Sequence, residues 1–469
     1  MNVSVSMNAT DQLKALRSGE LSAVELLQLH LARIDQVNPS INAICTRMDD
    51  QAMDAARAVD AARRAGAPLG TLAGLPVVLK DLTPTAGVRT TAGSRLYAER
   101  IPLHDAPLVE RIRSAGGVIV GKSNTPEFGH KGVTDNALFG PTRNPWNPDR
   151  VAGGSSGGSA AALAAGMVAL AEGSDGAGSI RIPASLCGMV GFKPTYGRVP
   201  DVAAPFASQT PFFHNGPMAR CVDDAALFLR VLAGFDPRLP FSLPETPLFG
   251  VGGVRRPRRI AYTPDFGYFP VDASVASACR SAVEQFAALG DHVEQITLDL
   301  DVDVEAAFMT FWRFKLASTF GGLPDTQRAL LEPRVQRLIE EGLALSALDV
   351  GVATQIRERV WAVITAVFTE HDLLISPTTS LTAFPVADDL PDSVAGQAIN
   401  PLIGWFLTYP VNLTGHPAAS LPCGFCADGL PVGLQVIGPR LADAEVLAAC
   451  KDLELALDVY KDHRPPWSR

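Results

Sequence analysis

Charge is scarce in this sequence. Asp, Glu, Lys and Arg make up only 19% of its 469 residues, so no sizeable disordered tail is expected. The balance is negative, a formal −9. An acidic chain repels a phosphate backbone, which argues against nucleic acid as a partner. No run of 18 or more apolar residues occurs, so no membrane-spanning helix is expected. The N-terminal residues 1–10 lack a basic start and an apolar stretch, so no secretory leader is expected. Seven cysteines, at 45, 187, 221, 279, 423, 426 and 450, form no paired pattern and fit a reduced, cytoplasmic protein. Cys423 and Cys426 are formally a C-x-x-C pair. However, Leu421-Pro422 before them and Ala427-Asp428-Gly429 after them read as a strand running into a turn. The eight histidines share no metal-ligand spacing, so neither metal nor cofactor is expected.

What the chain has in quantity is apolar residues, 47%, enough for a large core. Ser22-Ala23-Val24-Glu25 is a capping box, and Val24, Leu27, Leu31 and Ile34 follow at helical spacing, with Asn38-Pro39 as the stop. A second helix is predicted from Asp50 to Arg64. Strand-like runs then alternate with helices: strand 75–79 ending at Lys80, helix 108–114, strand 117–120, helix 159–166, strand 168–170 and helix 223–232. Further on come helix 276–289, strand 292–297, helix 357–371 and strand 373–375. This alternation predicts an α/β layer fold with a mixed β-sheet. No internal repeat is evident. Residues 237–258 are rich in Pro and Gly and could join two halves, but no polar spacer separates two self-sufficient patterns. The reading is therefore a single domain, 1–469, with 304–348 as a helical insertion. Its aromatic residues Phe308, Phe311, Trp312, Phe314 and Phe320 are expected to serve as core packing. The basic run Arg255-Arg256-Pro257-Arg258-Arg259 is expected to be a solvated loop before strand 260–262.

Gly116 to Ser123 matches the phosphate-loop pattern G-x-x-x-x-G-K-[ST], but the residue types argue against that function. Val118-Ile119-Val120 are β-branched and belong in a buried strand, whereas a phosphate loop needs pliable backbone and an immediate helix. Nucleotide binding here is not expected.

Eight glycines fall between Gly153 and Gly178, mixed with Ser155, Ser156, Ser159, Ser174 and Ser179. An Ala-rich helix and a strand interrupt them, so the stretch reads as two backbone loops meeting at one end of a sheet rather than as a linker. In Asp175-Gly176-Ala177-Gly178-Ser179, small residues precede a serine, so several N–H groups can converge as an oxyanion hole requires. Ser179 is then the natural nucleophile, and it needs a base. No Gly-x-Ser-x-Gly elbow frames it and no histidine suggests itself. Lys80, at the end of an apolar strand, is the alternative, because burial lowers a lysine pKa toward neutrality.

At this point the sequence resembles the amidase signature family. The resemblance rests on Gly153–Ser159 and Asp175–Pro183. It extends through Val78-Leu79-Lys80-Asp81, Gly121–Phe128, Asn144–Asn147, Gly191–Thr195, Asn412–Pro417 and Gly429–Gln435, so it covers nearly the whole chain. It implies a large mixed β-sheet covered by helices on both faces. It also implies amide hydrolysis through a Ser–Ser–Lys triad and an acyl-enzyme: Ser179 as nucleophile, Ser155 as bridging serine after a cis peptide bond to Gly154, and Lys80 as base. Gly176, Ala177, Gly178 and Ser179 would supply the oxyanion N–H groups. Asp175 and Arg181 would brace the loop as an ion pair, with Ser156 and Ser174 as supporting hydrogen-bond partners. Gly129 and His130 would touch substrate. The Gly176-Ala177 variant departs from the family's commonest Asp-Thr-Gly-Gly-Ser loop. It is nearer to bacterial aryl acylamidases and 6-aminohexanoate-cyclic-dimer hydrolases than to the glutaminase subunit of the tRNA-dependent amidotransferase.

The expected substrate is a small, apolar or aryl amide. The competing reading is a glutaminase-type subunit that delivers ammonia to a partner, and a third is a non-catalytic binding protein. A homodimer is compatible with the sequence.

Overall fold

The computed structural model describes residues 4–201, 213–244, 255–388, 390–461, 463 and 466–468. Part of the Pro/Gly-rich stretch 237–258, namely 245–254, lies outside the described residues.

Eleven strands make the central sheet. In chain order they are β1 (Ile44–Arg47), β2 (Pro76–Lys80), β3 (Val118–Ser123), β4 (Leu170–Asp175), β5 (Val190–Lys193), β6 (His214–Ala219), β7 (Arg259–Tyr262), β8 (His292–Gln295), β9 (Leu373–Pro377), β10 (Ala418–Phe425) and β11 (Pro431–Ile437). Their order across the sheet is β1-β3-β2-β4-β6-β5-β10-β11-β9-β7-β8. Pairs β2/β3, β2/β4, β9/β7 and β7/β8 are parallel, and the remaining pairs are antiparallel. Every residue of β2, β3, β5, β6, β9 and β11 is buried. Successive side chains point to opposite faces of a strand, so both faces are covered there. The helix Gly157–Ala164 is buried along its whole length, which its Gly, Ser, Ala and Leu side chains make sterically feasible.

Most elements lie where the sequence pattern puts them, and the differences have local causes. The capping box at Ser22 and Glu25 forms, but the helix passes Pro39 and ends at Ile41. Pro39 costs one hydrogen bond, and the last turn survives because Asn38 holds it: its carbonyl accepts from Asn42 N and its side chain from Ala43 N and Ile44 N. The helix expected at 357–371 begins ten residues earlier, at Ala347, behind a second capping box made by Ser346 and Asp349. Helices Asp303–Phe320, Asp325–Arg328 and Pro333–Leu343 fill most of the stretch 304–348. The basic run is not a free solvated loop. Arg255 Nη2 lies 2.6 Å from Asp291 Oδ2 and Arg258 Nη2 lies 2.7 Å from Asp452 Oδ2, which ties the start of β7 to its surroundings.

Strand β3 settles the phosphate-loop question. All six of its residues are buried, and the Lys122 ammonium donates to the Thr83 carbonyl and, at 2.9 Å, to Thr85 Oγ1. The loop is a core strand with its lysine spent internally. Cys423 lies near the end of β10 and Cys426 just past it, before the turn to β11, as expected, and all seven cysteines are free. Among the described residues no helix is long and apolar enough to cross a membrane.

Candidate active site

The parallel pairing of β2 with β4 brings Lys80 and Asp175 out at the same end of the sheet, since Val77 and Val78 face Leu170 and Ala171. Ligands of α/β sheets gather at the carboxyl ends of parallel strands. Ser155, Ser156 and the helix Gly157–Ala164 lie against this edge, and Ser156 N donates to Ser179 O at 3.1 Å, joining the two Gly/Ser loops. The Gly154–Ser155 peptide bond is cis.

Lys80 is completely buried. Its Nζ is 2.7 Å from Ser155 Oγ and 3.0 Å from Ser174 Oγ. Burial pushes its pKa down to about 7, against the opposing charges of Glu172 and Asp175 and with a further downward push from Lys315. Near neutrality a large share of Lys80 is therefore the free amine, a form able to take a proton from Ser155. Ser174 N in turn donates to Ser156 Oγ, and Ser156 Oγ donates to Ser174 O, each at 3.2 Å, so these two serines hold the lysine's surroundings rather than reach the pocket.

The loop after Asp175 is braced from below. Arg181 grips Asp175 in two parallel hydrogen bonds of 2.9 Å, Nε to Oδ2 and Nη2 to Oδ1, both side chains being fully buried. Nη1 also donates to Thr408 O and to Gln435 Oε1, and Nη2 to Asn412 Oδ1. Burial opposes the Asp175 charge, but Arg181 outweighs it and holds the carboxyl well below the usual range. Asn412 and Gln435 fall in blocks that the sequence resemblance marked without a role; Thr408 had no signal of its own. Breaking a buried pair leaves an uncompensated charge, at a cost of about 3–5 kcal/mol. Arg181→Met should therefore lower the unfolding free energy by about that amount, measured as the shift of the urea midpoint at constant slope.

One expected oxyanion donor is already committed. Gly178 N donates to Asp175 Oδ1 at 2.7 Å, which removes it from the expected set of four. Its role is conformational: φ is 124°, and a Cβ at this position would lie 1.9 Å from Thr408 Oγ1. The N–H groups of Gly176, Ala177 and Ser179 make no hydrogen bond to a described residue. Ala177 does not take a positive φ, so its methyl costs no backbone strain.

Ser179 lines a narrow cavity together with Gly129, His130, Ala177, Ile182, Phe308, Trp312 and Phe406, among others. Its hydroxyl makes no hydrogen bond to a described residue. Gly129 has φ +70°, and a Cβ there would come within 3.0 Å of Ser155 Oγ, so glycine keeps this wall clear. His130 is buried; its Nδ1 lies 2.8 Å from Glu127 O and its Nε2 has no hydrogen-bond partner among the described residues. Burial, then the neighbouring Lys131 charge, pushes its pKa down to about 3, so the ring is neutral. Phe308 and Trp312 are both core residues and pocket wall, which their spacing alone could not distinguish.

This constellation supplies a hydroxyl open to a cavity, a buried lysine hydrogen-bonded to a second serine, and uncommitted N–H groups beside the hydroxyl. The Amidase family model matches residues 25–447. An acylamidase of Rhodococcus erythropolis is 38% identical over 98% of this chain and 97% of its own. A glutamyl-tRNA(Gln) amidotransferase subunit of Chloroflexus aurantiacus is also 38% identical, over 98% of each chain. The crystal structure of a bacterial aryl acylamidase superposes with a TM-score of 0.92 at 33% identity, covering 98% of this chain and 97% of that one. The chain belongs to the amidase signature family, enzymes that hydrolyse amide bonds.

Proposed function

We propose that this protein hydrolyses small apolar or aryl carboxamides through an acyl-enzyme on Ser179. Ser179 Oγ attacks the amide carbonyl while its proton passes to Ser155 and the Ser155 proton passes to the free amine of Lys80. The N–H groups of Gly176, Ala177 and Ser179 hold the developing oxyanion. The Lys80 proton then returns through Ser155 to the leaving nitrogen, the C–N bond breaks and the amine departs. Water, deprotonated by the same path, attacks the acyl ester and releases the acid. His130 Nε2, buried without a hydrogen-bond partner among the described residues and 3.9 Å from Glu332 Oε2, is a substrate hydrogen-bonding group in this reading, and Gly129 packs beside it.

The observation that carries the proposal is the 2.7 Å contact between Lys80 Nζ and Ser155 Oγ at the edge where Ser179 faces the cavity. The cavity's Ile182, Phe308, Trp312 and Phe406 support an apolar or aryl group. Cytoplasmic location is part of the same proposal, supported by seven free cysteines. Nucleic acid and membrane have no part in it, and a homodimer is compatible with it.

The equal identity to the amidotransferase relative keeps a second reading in view, ammonia delivery to a partner. Purified chain incubated with p-nitroanilides, fatty amides, amino-acid amides and glutamine decides. Turnover of anilides by the chain alone supports the first reading. Weak activity confined to glutamine, with co-elution of a second protein from native extract, contradicts it.

A further inference from the structure

We propose that Lys315 anchors a carboxylate carried on the amine half of the substrate, so that N-acylated amino acids are preferred over neutral amides of the same length. This rests on the amide-hydrolase reading above and names its substrate class more narrowly.

Lys315 lies on the helix Asp303–Phe320, which also sends Phe308, Met309 and Trp312 to the cavity. Its Nζ stands 3.4 Å from the centroid of the Phe213 ring and 5.1 Å from that of Trp312, and the two rings stack at 5.8 Å. Phe213 packs directly on the oxyanion loop: a Cβ on Gly176 would lie 2.6 Å from its ring. The ammonium is thus one ring away from the backbone that would hold the oxyanion. Gly176, Phe213 and Lys315 are not among the residues lining the apolar cavity. A substrate whose acyl half fills that cavity has its other half outside it, and the Gly176 flank is where Lys315 lies.

Among the described residues Lys315 Nζ makes no ion pair and no hydrogen bond, and its contacts are two ring faces. A ring face attracts a cation but does not replace the water removed from it, so a carboxylate supplies the missing partner. Burial pushes the Lys315 pKa down to about 7, opposed by the charge of Asp201, and Lys315 in turn acts on Lys80. The anchor is therefore largely charged near pH 6 and largely neutral by about pH 9. Lys80 works in the opposite sense, but its protonation affects matched substrates equally and cancels from their ratio.

The experiment measures kcat/KM for N-benzoylglycine, 4-(benzoylamino)butanoate and 6-(benzoylamino)hexanoate. Each is compared with its neutral counterpart: N-methyl-, N-propyl- and N-pentylbenzamide. At one chain length or more, the carboxylate should be favoured about tenfold near pH 6, and the ratio should fall toward one by about pH 9. Lys315→Met should bring the ratio to about one at all pH values, and Lys315→Arg should retain it and abolish its decline. A ratio of one or less at every length in the wild type overturns the proposal, and so does a ratio that Lys315→Met leaves intact. The pH dependence of the wild-type ratio decides even where a variant folds poorly. If the neutral amides and simple anilides are also inert, the amide-hydrolase reading itself fails.

Discussion

Ser179→Ala should lower kcat/KM toward amides by about four to six orders of magnitude while leaving the urea midpoint nearly unchanged. Two features set these expectations. The hydroxyl makes no hydrogen bond to a described residue, so its removal breaks nothing in the fold. It is also the group that opens on the cavity beside the uncommitted N–H groups of Gly176 and Ala177. Loss of an activated nucleophile leaves only binding and oxyanion stabilisation, and in comparable serine hydrolases that residue of catalysis is small. Steady-state assays on one anilide, with denaturation curves for both proteins, check both halves. Retention of more than about a hundredth of the activity would contradict the assignment of Ser179 as nucleophile.

Lys80→Met should cost about three orders of magnitude or more, the upper range for loss of a general base. Methionine nearly matches the lysine stem in length and removes only the amine, so the core is preserved as far as a substitution allows. The loss should be greater than for Ser174→Ala, because Ser174 holds Lys80 without relaying its proton. The same geometry fixes the sign of the pH dependence. Lys80 must be unprotonated to accept from Ser155, and its pKa is lowered to about 7 by burial. Wild-type kcat/KM should therefore be low below that pH, rise through it and level off above it. The residual activity of Lys80→Met should lack this rise. A wild-type profile that rises only near the ordinary lysine range would show Lys80 to be solvated and charged, contrary to its complete burial.

Sequence reasoning reached unevenly into this site. The small residues between Asp175 and Ser179 were enough to suggest an anion-binding loop ending in a nucleophile, whereas the Asp175–Arg181 brace came only from the family resemblance. Lys80 was legible as a base because it ends an apolar strand, and strands that read as continuous apolar runs are buried. That Lys80 meets Ser155 was not legible from spacing, since it depends on β2 pairing with β4, and only the family resemblance suggested it. The commitment of Gly178 N to Asp175 was hidden for a different reason. An N–H looks available in any glycine-rich loop until the neighbouring carboxylate's direction is known. The same holds for Thr408, Asn412 and Gln435, which reach Arg181 from more than 220 positions away in the chain. Within the fold, the start of the helix Ala347–Val367 was signalled by Ser346 and Asp349 but obscured by reading the preceding stretch as one insertion. Phe308 and Trp312 show the limit of periodicity: an apolar face packs a core and walls a cavity with the same residues.

The most direct test of the central claim is the site of covalent modification. The wild-type protein is treated with a fluorophosphonate and digested, and the adduct is mapped by mass spectrometry, alongside Ser179→Ala and Lys80→Met. A single phosphonyl group on Ser179, absent from Ser179→Ala and formed far more slowly in Lys80→Met, is the predicted result. An adduct on Ser155 or on any other residue, or labelling of Ser179 at an undiminished rate without Lys80, would contradict the account.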